Sequence, residues 1–159
     1  MTTIELAVKI IFDRWYGSIK NFDTLLAAIP DEKLKQEISP GKNRGIYVLG
    51  HLIAVHDDML RLLDMGEKLY PELYEPFLKQ PDKAVMELPS AATLRGFWAD
   101  QCALLKQKFD ALQPEEWLEK HTAVSPEDFA KEPNRNKLNI ILTRTTHLAY
   151  HTGQMVLIK

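Results

Sequence analysis

Residues 136–158, NKLNIILTRTTHLAYHTGQMVLI, decide how the rest of the chain is read. Leu138, Ile141, Leu142, Thr145, Leu148 and Val156 recur at the spacing of one helix face, which predicts a helix from about Asn136 to Ile158. The same stretch sets His147 and His151 four residues apart. Four residues advance a helix by one turn and only about 40° around its axis, so both imidazoles share a face with the inward-looking Leu148 and Thr145.

Working outward, prolines divide the chain, because proline lacks an N–H and clashes with the preceding helical turn. The nine prolines leave four long free windows, each with helical periodicity. The first opens on Thr2-x-x-Glu5, a capping-box pattern, runs through Ile4, Val8, Ile11, Phe12, Trp15, Ile19, Phe22, Leu25 and Leu26, and stops at Pro30. The second spans about Arg44 to Met65, with Leu49, Leu52, Ile53, Leu60 and Leu63 on one stripe and Gly66 placed to end it. Within it Gly50 invites close approach of a neighbour beside His51. The third starts at Ser90 as N-cap and buries Leu94, Phe97, Trp98, Leu104, Leu105, Phe109 and Leu112. Residues 136–158 form the fourth. The connection Gly66–Pro89, with Tyr70, Pro71, Tyr74, Pro76 and Phe77, predicts short helical turns over one bundle end. The connection Gln113–Arg135 carries Ser125-Pro126, an N-cap followed by proline at N1. Strand signals are nearly absent. The expected fold is all-α, one domain over residues 1–159, a four-helix bundle with a crossover connection and short extra helices in the loops.

Composition narrows the function classes. Hydrophobic residues make up 45% and charged residues 26%, as in an ordinary globular protein, and the formal net charge of −2 gives no broad basic surface for nucleic acid. No stretch is apolar for the roughly 18 residues a bilayer span needs, and residues 1–5 lack a signal-peptide pattern. Cys102 is the single cysteine, which fits a reducing cytoplasm and excludes an intrachain disulfide. Mid-helix, it reads as a small core residue and not as a nucleophile.

Five histidines carry the chemistry: His51, His56, His121, His147 and His151. An inward histidine on its own is ordinarily a hydrogen-bonded core residue. Three of them from two helices, His51, His147 and His151, are harder to satisfy in an aliphatic interior, and one divalent cation would satisfy all three. His56 lies about 140° round the helix from His51, which predicts a place on the flank or surface. His121 falls in a loop. Gln154, one turn after His151, can bond a ring nitrogen or a metal-bound water, or face solvent at the helix end. Asp58, seven residues after His51, is either an outer carboxylate of the site or a solvated neighbour of Arg61. Tyr47, one turn before His51, can orient substrate or simply pack. Arg44 and Arg144 can receive a carboxylate or lie on the surface as solvated charges.

Gly50-His51-Leu52-Ile53-Ala54-Val55-His56 and His147-Leu148-Ala149-Tyr150-His151-Thr152-Gly153-Gln154 are similar to segments of the DinB/YfiT-like superfamily of metalloproteins. The second resembles the family's H-x-x-x-H-x-G-Q ending closely; the first is shorter. The resemblance extends over essentially the whole chain. It implies that His51, His147 and His151 bind a divalent metal (zinc, nickel, manganese or iron) in a four-helix bundle that is frequently dimeric. Some members of the superfamily transfer or isomerise small electrophiles with bacillithiol, mycothiol or glutathione. The expectation is therefore a cytoplasmic homodimer acting on a small molecule: a metal-dependent transferase with a low-molecular-weight thiol cosubstrate, a metal-dependent hydrolase, or a non-catalytic metal-binding stress protein. No Glu stands in an H-E-x-x-H arrangement to serve the hydrolase as base.

Overall fold

The computed structural model describes residues 1–85 and 87–159. Its helices are α1 (Thr3–Ala28), the single turn α2 (Asp31–Leu34), α3 (Gly45–Leu62), α4 (Ala91–Phe109), the short α5 (Pro126–Lys131) and α6 (Lys137–Met155), with no strand among the described residues. The predicted starts are realised by side-chain caps. Thr2 accepts from the Glu5 amide while Glu5 reaches back to the Thr2 amide. Ser90 accepts from Thr93, Ser125 from Asp128 and Asn136 from Asn139. Each cap satisfies an amide that the first turn leaves without an intrahelical partner.

The four long helices bury their stripes against one another. α1 packs along α6, and α3 lies against both α4 and α6. The chain-adjacent α1 and α3 are thus not the principal pair, which is the expected crossover. One part of the core holds Phe22, Leu49, Leu52, Ile53, Phe77, Leu94, Trp98 and Leu148; the other holds Trp15, Met59, Leu60, Leu105, Phe109, Trp117 and Ile141.

Four local expectations are corrected. His56 is not on the flank: it is 0% exposed, between the rings of Trp15 and Trp98 at 5.1 and 5.2 Å. α3 is covered on two sides, by α4 and α6, so a residue far round from His51 is still interior. Leu142 and Val156 are exposed, not inward. The buried stripe of α6 follows Leu138, Ile141, Leu148 and Met155, and Val156 begins a terminal 3₁₀ turn that breaks the phase. The left-handed residue that ends α3 is Asp64 (φ 60°), where Met65 N–H reaches back to the Leu60 carbonyl; Gly66 (φ 125°) comes two residues later.

The connection after α3 positions the site. It contains a 3₁₀ turn (Pro71–Leu73) and a π-helical turn (Glu75–Lys79) that packs on α3. Asp57, 1% exposed, holds its beginning by accepting from the amides of Leu69 (2.9 Å) and Tyr70 (2.8 Å), with Gln101 of α4 at 3.2 Å. Its end is held at Gln80, whose carbonyl accepts from the Tyr47 hydroxyl at 2.6 Å.

Candidate metal centre

α3 brings His51, and α6 brings His147 and His151, to one place. His147 Nε2 lies 3.2 Å from His51 Nε2 and 3.1 Å from His151 Nε2. Among the described residues these three form a group of side chains able to hold a metal ion, with no Asp or Glu in it.

Hydrogen bonds at the far side of two rings fix what faces the centre. His51 Nδ1 is 3.0 Å from the Phe77 carbonyl, which can only accept, so the proton is on Nδ1 and Nε2 carries a lone pair. His151 Nδ1 is 2.7 Å from Gln154 Oε1, with the same consequence. His147 Nε2 can donate its one proton to one neighbour but not to both, so protons alone leave at least one of the two neighbouring lone pairs without a donor. A cation resolves this. With metal–nitrogen bonds of about 2.0–2.1 Å and angles between about 90° and 109°, ligand nitrogens stand about 2.8–3.4 Å apart, which brackets both observed separations.

Burial also keeps the rings neutral. Desolvation pushes down the pKa of His51, His147 and His151; His147, further depressed by the neighbouring histidines and Arg144, falls to about 4. At neutral pH three unprotonated imidazoles face one another, as coordination requires. The donor set therefore fits a divalent ion.

The remaining candidates separate. Gln154 orients His151 and passes its amide N–H to the Tyr150 hydroxyl at 3.0 Å. Asp58 does not join the histidines; it pairs with Lys68 beside a cleft of about 710 Å³ that also includes Arg61, Tyr74 and Thr122. The Tyr47 hydroxyl is committed to Gln80. Arg44 is locked by Asp82, with contacts at 2.7 and 3.0 Å and the Asp82 carboxylate also capping its backbone amide. Arg144, one turn before His147 on α6, is half-buried and its Nε has no partner. His121 stays in its loop after the 3₁₀ turn Pro114–Leu118, outside the cluster. Cys102 is a weak acid here, its thiol pushed up to about 12 by burial and then by Asp23.

A helical bundle with three converging imidazoles, two on one helix and one across from them, defines the class of protein. The chain belongs to the DinB superfamily, whose model matches residues 14–155. In fold it is similar to a conserved protein of Enterococcus faecalis known from a crystal structure, with a TM-score of 0.64 at 16% identity over 99% of this chain and 95% of that one. A search of curated proteins gives no match.

Proposed function

We propose that this protein is a metal-dependent transferase: His51, His147 and His151 hold one divalent cation, and a low-molecular-weight thiol is transferred to a small electrophile beside them. The observation that carries the reading is the convergence of three imidazoles, with His147 Nε2 3.2 Å from His51 Nε2 and 3.1 Å from His151 Nε2, two of the rings having tautomers set by Phe77 and Gln154. Three neutral ligands leave a divalent ion its charge and at least one open position, and an ion so held lowers the pKa of a thiol. The protein's own part is to hold the three rings neutral and oriented. In the transfer a C–S bond forms, the leaving group departs with its electron pair, and the thiol proton passes to solvent.

Support for the thiol over a hydrolytic water comes from the donor set. Among the described residues no carboxylate joins the cluster, and Asp58 is paired with Lys68, so a hydrolase would lack its base. The Cys102 thiol, held protonated by burial, does not compete as nucleophile. On this reading the enzyme works in the cytoplasm, where small thiols are abundant, and as a homodimer. No helix among the described residues is long and apolar enough to cross a membrane.

The test is elemental analysis of untagged protein purified without added metal, followed by titration with a small thiol. Close to one equivalent of metal is expected, lost in His147→Ala, with saturable thiol binding that requires the metal. Full metal content in His147→Ala would overturn the assignment, and absence of thiol binding would remove the transferase reading.

A further inference from the structure

The arginines of intermediate burial are Arg44, Arg95, Arg135 and Arg144. The first three face carboxylates, of Asp82, Asp31 and Glu132. Among the described residues Arg144 forms no ion pair, and its Nε is sealed from water without an acceptor. Only Nε is sealed; the terminal nitrogens make no hydrogen bond and still reach solvent, so the guanidinium is a donor group free to meet an arriving acceptor.

Its place says which site it serves. Arg144, His147 and His151 follow at intervals of three and four on α6, so they lie on one helix face. The guanidinium charge acts on His51, His56 and His147, and Asp58 is the carboxylate that acts on it in turn. Asp58 is itself engaged by Lys68, and Arg61 in the same cleft by Glu67. Both carboxylates of that cleft are thus already paired with other cations, and Arg144 is left without an ion pair on the helix face that carries His147 and His151.

We infer that Arg144 is the anion-receiving group of the three-histidine site, and that the molecule bound there carries a carboxylate about one helical turn, roughly 5 Å, from the atom that meets the imidazole nitrogens. Planar guanidinium donors match a carboxylate in two parallel hydrogen bonds, which gives orientation as well as attraction. This inference rests on the metal-and-thiol reading above and narrows it to an anionic thiol or electrophile.

A short probe with both groups at that spacing is 3-mercaptopropionate; its methyl ester keeps the thiol and removes the charge. With the full chain loaded with Co(II), the thiolate-to-cobalt absorption band reports binding without any turnover. Wild type is expected to bind the acid about tenfold more tightly than the ester, as one charge-assisted contact allows. In Arg144→Met the ratio should fall to about one with the ester's affinity little changed, and Arg144→Lys should restore part of it. An acid-to-ester ratio in Arg144→Met equal to that of wild type overturns the inference while leaving the metal reading intact. If wild type takes up no cobalt, the metal reading fails instead. The arginine is then judged in metal-free protein by the shift of the Arg144 Nε–H resonance on titration with propionate, and no shift overturns it.

Discussion

His51 Nδ1 is bonded to the backbone carbonyl of Phe77, 3.0 Å away and 26 residues further along the chain. That bond sets the ring's tautomer and aims Nε2 at His147, so the site's geometry depends on how closely the π-helical turn sits on α3. The approach is possible because residue 50 is glycine: a Cβ there would lie 2.2–2.5 Å from three atoms of the Phe77 ring.

Gly50→Ala should therefore act twice. The displaced Phe77 ring, 0% exposed in the native core, makes it an overpacking change expected to cost about 1–3 kcal/mol in urea unfolding. The displaced carbonyl no longer orients His51, and metal affinity should fall about 10- to 100-fold in a chelator competition. Lost stability with unaltered affinity would mean that the Phe77 carbonyl does not matter to the site.

Asp57 holds the other end of the same connection. Asp57→Ala leaves the amides of Leu69 and Tyr70 without their acceptor, and Gln101 Nε2 keeps only the Ile53 carbonyl. A loss of about 3 kcal/mol or more is expected, since buried donors are left unpaired. Hydrogen exchange should accelerate first at the amides of residues 69 and 70. Protection there equal to wild type would show that the loop is held by its apolar contacts alone.

Much of this was legible in the sequence, and the exceptions share a cause. Prolines and caps fix where helices can begin and end through local chemistry, so Thr2, Ser90, Ser125 and Asn136 were readable directly. His147 and His151 were readable because helical spacing places them together, and His51 because it lies between Leu49 and Leu52 on the inner side of its helix. The Phe77 carbonyl was not, because a backbone acceptor has no residue-type signature; its one trace was Gly50. His56 was misplaced because angular position predicts burial only for a helix covered on one side, and α3 is covered on two. Arg44 and Arg144 looked alike in sequence; only the tertiary position of Asp82 separates them.

Gln154 gives a test of orientation at the second ring. Gln154→Leu removes the acceptor for His151 Nδ1–H and should weaken metal binding by about tenfold. Gln154→Glu keeps an acceptor and makes it anionic, which raises the basicity of His151, so affinity should equal or exceed that of wild type. Competition titrations on the two variants check the order. Equal losses in both would assign Gln154 to helix-end packing and not to the site.

His56 makes the metal-free protein acid-sensitive. Its two ring nitrogens have no hydrogen-bond partner, and burial first, then the charges of His147, Arg144 and His51, lower its pKa from 6.5 to about 3. Between those values the unfolded chain carries a proton on this ring and the folded chain does not. Stability is thus fully present above about pH 6.5 and is lost as pH falls towards 3, with His147 acting in the same direction down to about 4. One such group contributes a slope of about 1.4 kcal/mol per pH unit inside the window. His56→Leu, a replacement of similar size that needs no partner, should lower the measured slope by about that amount in urea unfolding of metal-free protein between about pH 4 and 6. It should also leave stability at neutral pH equal or higher, because an unsatisfied pair of polar atoms has left the core. An unchanged slope would place the acid sensitivity in the three clustered histidines and remove His56 from the account.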